Sequence, residues 1–226
     1  MGEDYTMFIK VNGVELYYEK RGTEEARPLI LVHGNGEDHT IFEQALLLLE
    51  KRFCCYAVDS RCHGQSGEGL LHYSDMAADM LAFLETLELR DVIFYGFSDG
   101  GIVGLLTAAQ TDRITTLITS GANLNPNGVK LPLRLLVGVM NLVKPDPKLA
   151  LMLREPWISD DVLRRIKAHT IVLAGSKDVI PEKETRHIAE TVPNAELNIL
   201  KGESHGSYII HSEKIANLII ESCRIR

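Results

Sequence analysis

The residues most able to do chemistry lie in Gly96-Phe97-Ser98-Asp99-Gly100-Gly101, a serine set between glycines. An apolar run, Val92-Ile93-Phe94-Tyr95, leads into it, and a helix-like segment from Gly101 to about Gln110 follows. Strand, Gly-x-Ser-x-Gly and helix in that order make a sharp turn that lifts a serine hydroxyl to the top of a sheet. Gly96 and Gly100 have a steric reason, because strand and helix approach closely where the serine backbone is strained. A serine hydroxyl alone is a weak nucleophile at neutral pH. It needs a base to take its proton and an acid to orient that base. Both follow in the chain. Asp178 ends Thr170-Ile171-Val172-Leu173-Ala174-Gly175-Ser176-Lys177-Asp178, where an apolar strand runs into a polar turn. His205 sits in Gly202-Glu203-Ser204-His205-Gly206, just after the alternating run Ala195 to Leu200. Ser98, Asp178 and His205 are therefore expected to form a catalytic triad, each on a loop at the carboxyl end of a strand, where open α/β sheets bind ligands.

Acyl transfer also needs donors aimed at the oxyanion that develops on the substrate. Leu29-Ile30-Leu31-Val32-His33-Gly34-Asn35-Gly36 reads as a buried strand opening into a glycine-rich loop. The backbone N–H groups of Asn35 and of Asp99, the residue after the serine, are the expected pair. His33 is expected to be a hydrogen-bonded structural residue rather than a catalyst.

The elements that must carry these residues alternate along the chain. Met7 to Lys20 reads as two short strands around the Asn12-Gly13 turn. The strand to Val32, a helical region near Ile41 to Glu50 and the strand Phe53 to Asp59 follow. Ser74 to Leu89 carries apolar residues at helical spacing, with Ser74 as the expected N-cap. After the serine turn and its helix come the strands Ile114–Thr119, Thr170–Ala174 and Ala195–Leu200. Helices are expected over Glu182–Thr191 and near Ser212–Ser222. This order predicts an α/β protein with a mostly parallel eight-stranded sheet and helices on both faces. One domain is expected to span residues 1–226. The stretch from about Ala122 to Trp157 breaks the rhythm. It reads as two short helices, interrupted at Pro145-Asp146-Pro147, forming a small helical cap over the catalytic face. An apolar inner face on that cap would favour acyl or aryl groups. Its outer face carries Lys130, Arg134, Lys144, Lys148 and Arg154.

Together these motifs resemble the α/β-hydrolase fold superfamily, in its single-domain serine esterase and lipase-like branch. The resemblance runs over nearly the whole chain. It rests on His33-Gly34-Asn35-Gly36, Asp59-Ser60-Arg61-Cys62-His63-Gly64-Gln65-Ser66, the serine turn, Ala174 to Asp178 and Ser204-His205-Gly206. It departs from the common pattern at Cys62 and Ser204, where many members have glycine, and in the shortness of the region before the Asp178 strand. The resemblance implies a hydrolase acting on a carboxylic ester or thioester with a small to medium apolar acyl or aryl group. The same triad would also serve a C–C bond hydrolase or a cofactor-free perhydrolase, and the fold would serve a non-catalytic ligand-binding protein.

Composition narrows the partners. Charged residues make up 24% of the 226, with a formal net charge of −7, which argues against general nucleic-acid binding. No stretch is long and apolar enough to span a bilayer. Met1-Gly2-Glu3-Asp4 is acidic and unlike a secretion signal, so a cytoplasmic location is expected. Gly2 and Thr6 fit a loose acylation pattern, against which the neighbouring acids argue. The adjacent Cys54 and Cys55 are expected to point to opposite faces of a strand as small core residues. The eight histidines show no metal-ligand spacing, and neither metal nor cofactor is expected. The expected partner is a small ester-like molecule; nothing in the composition requires a second copy of the chain.

Overall fold

The computed structural model describes residues 5–223; Met1 to Asp4, and with them the Gly2 acylation pattern, lie outside the described residues. The chain opens with a hairpin of β1 (Tyr5–Val11) and β2 (Val14–Arg21). Its turn residues Asn12 and Gly13 both take positive φ, 46° and 80°, as a two-residue turn matched to strand twist requires. Then follow β3 (Pro28–Val32), α1 (Glu43–Leu49), β4 (Cys54–Val58) and α2 (Tyr73–Thr86). Next are β5 (Val92–Phe97), α3 (Asp99–Ala108) and β6 (Ile114–Ser120). The helices α4 (Leu131–Val143), α5 (Pro147–Arg154) and α6 (Asp160–Leu163) precede β7 (His169–Gly175). The chain then runs through α7 (Glu182–Thr191), β8 (Ala195–Leu200) and α8 (Lys214–Ser222).

The eight strands form one sheet in the order β1-β2-β4-β3-β5-β6-β7-β8. Only the first three neighbours, β1 to β2 to β4, pair antiparallel; the rest are parallel. This is the α/β architecture expected from the alternation of elements. Its central strands are apolar without alternation because both faces are covered. One core joins the sheet to α2 and α3 and contains Cys54; the other joins it to α1 and α8 and contains Cys55. The two adjacent thiols thus point to opposite faces, as a strand's period of two demands.

Strand order reverses about β3, whose neighbours are β4 on one side and β5 on the other. The loops after β3 and β5 therefore leave the sheet side by side and open a crevice at their carboxyl ends. Asn35 follows β3 and Ser98 follows β5, so topology alone brings those two residues together.

Two helix starts differ from expectation. A 3₁₀ turn at His39–Phe42, capped by the Asp38 carboxylate on the Thr40 N–H, precedes α1. Ser74 is not an N-cap but lies inside α2, which begins at Tyr73. The orphan Tyr73 N–H is instead satisfied by the Glu155 carboxylate at 3.1 Å, a partner 82 residues away. Between them, Arg61 makes a bidentate pair with Asp79 of α2, both contacts at 2.6 Å and both side chains buried. Asp79 also accepts from Asn12 in the hairpin turn, and Arg61 donates to the Leu70 carbonyl, so one carboxylate ties three segments together. Removing it would leave the buried guanidinium with the more distant Asp75 carboxylate, at 3.7 Å, in place of its bidentate partner. Asp79→Ala is expected to lower the free energy of unfolding by roughly 3 kcal/mol, read from urea denaturation.

Candidate active site

Ser98 sits between β5 and α3 with φ 53° and ψ −111°, a conformation rarely adopted by a residue with a side chain. The turn is held by the Ser98 N–H on the Ser120 carbonyl at 2.7 Å and the Gly100 N–H on the His33 carbonyl at 3.0 Å. A Cβ at Gly96 would lie 2.1 Å from the Gly100 carbonyl oxygen, and one at Gly100 would lie 2.1 Å from that of Val32. Strand and helix can meet here only because both positions lack side chains.

His205 reaches this hydroxyl from the loop after β8, with Nε2 3.1 Å from Ser98 Oγ. Its Nδ1 lies 2.7 Å from Asp178 Oδ1, which follows β7 and also accepts the Ile180 N–H. A carboxylate only accepts, so Nδ1 carries the imidazole hydrogen and Nε2 is left as the acceptor for the serine proton. Asp178 is buried and His205 half-buried, its ring tilted against Phe97 at 4.9 Å between centroids. All three residues expected from sequence are brought together in hydrogen-bonding order.

The two expected oxyanion donors flank the same serine. Asp99 is the first residue of α3, so its N–H has no acceptor within the helix. In the loop after β3, the turn bonds use the Gly34 and Glu37 N–H groups and leave that of Asn35 free among the described residues. Their side chains do something the motifs did not reveal. Asn35 Nδ2 donates to Asp99 Oδ2 at 2.9 Å and to the Lys148 carbonyl at 3.1 Å, while Tyr73 donates to Asp99 Oδ1 at 2.8 Å. The Asp99 carboxylate therefore braces the β3 loop against the serine turn and α2. Burial raises its pKa, and the hydrogen bonds from Asn35 and Tyr73 oppose that rise.

His33, by contrast, is structural. Nδ1 contacts the Gly34 carbonyl at 2.7 Å and Nε2 accepts the Ser60 N–H at 3.0 Å. Burial lowers its pKa to about 4, keeping it neutral with both nitrogens engaged. The Asp38, His39 and Asp59 side chains are the single group among the described residues close enough to share a metal ion. Their atoms are otherwise occupied: Asp59 accepts from the His39 N–H and ring and from the Gln65 N–H, and Asp38 caps a turn. Cys62 has φ 62°, the left-handed backbone that favours glycine. Burial raises its thiol pKa, so it is not activated.

Above Ser98 lies a cavity of about 160 Å³. Gly34, Asn35, Phe97 and Ile180 line its floor, while Val129, Leu133, Met152 and Glu155 reach it from the 122–157 segment. Glu37 also faces it; burial raises its pKa, opposed by the hydrogen bond from the Gly34 N–H. Few of the apolar residues of α4 take part. Leu133 reaches the cavity and Val137 is buried, but Leu131, Leu135, Leu136, Val139, Met140, Leu142 and Val143 are exposed. Most of the apolar surface of that helix thus faces outward, while Leu133 and Val137 turn inward.

Gly121, at the end of β6, escaped sequence reading although it touches the histidine. Its φ is 64°, and a Cβ there would lie 2.7 Å from His205 Cε1 and 2.8 Å from Nδ1. Gly121→Ala is expected to displace the ring and lower kcat by about 10²-fold. Initial-rate assays beside circular dichroism would check that the loss is local.

A family model of the alpha/beta hydrolase fold matches residues 27–148, more than half of the chain. The chain belongs to this family. It is 28% identical over 259 residues to the AB hydrolase superfamily protein YisY of Bacillus subtilis, covering 92% of this chain and 95% of that protein. It is 33% identical over 122 residues to the mouse serine hydrolase BPHL, spanning 51% of this chain and 42% of that protein. The crystal structure of the esterase RhEst1 from a Rhodococcus species superposes with a TM-score of 0.80, over 99% of this chain and 98% of that one. At 20% identity, that similarity speaks to fold alone. No helix among the described residues is long and apolar enough to cross a membrane.

Proposed function

We propose that the chain is a serine hydrolase of carboxylic esters or thioesters, working through an acyl-enzyme on Ser98. The observation that carries this reading is the line Ser98 Oγ, His205 Nε2, His205 Nδ1, Asp178 Oδ1, with contacts of 3.1 and 2.7 Å. His205 takes the hydroxyl proton as Ser98 Oγ attacks the substrate carbonyl. The oxyanion rests on the Asn35 and Asp99 N–H groups. When the tetrahedral intermediate collapses, the bond to the leaving alcohol or thiol breaks and His205 returns the proton to it. A water, deprotonated by the same imidazole, then attacks the acyl carbonyl and restores Ser98 with release of the acid. Asp178 holds the tautomer that makes each transfer possible. The 122–157 segment acts as a short cap on a single 1–226 domain, and the cavity beneath it suits a short apolar acyl group on a small molecule.

Hydrolysis of p-nitrophenyl esters of increasing acyl length tests this directly. Turnover should peak among short acyl chains and fall by octanoate, with covalent labelling of Ser98 by a fluorophosphonate. A protein that neither turns over any ester nor takes the label would overturn the reading.

A further inference from the structure

The outward side of α4 has no partner among the described residues. At 3.6 residues per turn, Leu131, Leu135, Val139 and Leu142 make one stripe and Leu136, Met140 and Val143 a second beside it. Together they cover about half the circumference, while Leu133 and Val137 face the protein. The patch extends beyond the helix. A surface hollow of about 500 Å³ joins Leu135, Val139 and Leu142 to Leu153 of α5 and to Trp157. Trp157 is 72% exposed, with its indole N–H tied to the Arg154 carbonyl at 2.8 Å, and Leu142 is 83% exposed. A contiguous exposed apolar face of this extent signals an interaction site.

Charge points to the occupant. Residues 122–157 hold five cations, Lys130, Arg134, Lys144, Lys148 and Arg154, against the two carboxylates Asp146 and Glu155. That net +3 stands in a chain of net −7. Lys130 and Arg134 contact the Asp178 carbonyl and Asn127, whereas Lys144 and Arg154 are exposed at the ends of α4 and α5. A second copy meeting this face about a twofold axis would set one cationic segment against the other. An anionic surface would be attracted to it and repelled by the acidic remainder, so the molecule would approach this end first. Leucines and valines over a broad face, a tryptophan at its edge and flanking Lys and Arg are the features of a helix lying in a lipid–water interface.

We infer that α4 and Trp157 form a docking surface for an anionic phospholipid bilayer, with the helix lying in the interface plane and Lys144 and Arg154 among the headgroups. Docking would set the mouth of the Ser98 cavity, to which Leu133 of the same helix contributes, beside the phase in which apolar esters dissolve. The docking does not depend on the ester reading, since it needs only the outer face.

Trp157 is the sole tryptophan, so its fluorescence reports this surface alone. Titration of the full chain with phosphatidylglycerol–phosphatidylcholine vesicles is expected to give a saturable blue shift, absent with pure phosphatidylcholine and weakened by salt. The double variant Val139→Asp, Leu142→Asp should lose the shift. Both positions are exposed, and circular dichroism would confirm the fold. No shift on anionic vesicles would overturn the inference, as would an equal shift on neutral ones. A lipid-free shift that grows with protein concentration, together with a dimer mass by light scattering, would assign the face to a second copy instead.

Discussion

Ser98→Ala is expected to lower kcat for a short p-nitrophenyl ester by about 10³-fold or more and to abolish fluorophosphonate labelling, with the far-ultraviolet dichroism unchanged. The size follows from what remains. Alanine keeps the backbone of the turn and hence the Asn35 and Asp99 N–H groups, but it leaves no atom to attack the carbonyl. Residual turnover then comes from water acting against an intact oxyanion site. The fold should survive because Ser98 Oγ has one side-chain partner among the described residues, His205, and the turn is held by backbone bonds to Ser120 and His33. Near-normal turnover in this variant would remove Ser98 from the mechanism and with it the proposed reaction.

Part of this site was legible in the sequence because the chemistry is carried by short local signals. The serine turn is specified by residues within a few positions of one another, and Gly96 and Gly100 announce its close approach. Asp178 and His205 could be placed because each follows an apolar run, and strand ends converge in a parallel sheet. Asn35 and Asp99 could be assigned through their backbone, which motif position fixes. What their side chains do was not legible. The bridge from Asn35 through Asp99 to Tyr73 joins residues 64 and 26 positions apart, and nothing in spacing or composition marks such a contact. Glu155 shows the same limit more sharply. Local rules favour Ser74 as the cap of α2, yet a carboxylate from a distant helix end takes the Tyr73 N–H, and the cap falls two residues earlier, at His72. Gly121 carries no motif at all; its reason is the imidazole packed against its Cα. The outward turn of α4 was missed for a related cause. Periodicity finds an apolar stripe, but the helix has apolar residues around most of its circumference, and only tertiary contact decides which of them are covered.

Asp178→Asn is expected to lower kcat by about 10³- to 10⁴-fold, with KM changed far less and the fold retained. The side chains are almost the same shape, so the argument rests on charge. Oδ1 of Asp178 accepts from both the Ile180 N–H and His205 Nδ1. An asparagine with its carbonyl oxygen at that position keeps both bonds and the ring tautomer. What it loses is the negative charge that stabilises the imidazolium formed when His205 takes the proton of Ser98 Oγ across 3.1 Å. The base is present and correctly positioned, but its charged form has lost its partner. Because Ser98 and Asp178 act through one imidazole, their effects should not add: the Ser98→Ala, Asp178→Asn double variant should be little slower than Ser98→Ala alone. Losses that multiplied in the double variant would mean that Asp178 works independently of the serine, as a structural anchor of the β7 loop rather than as the group that orients His205.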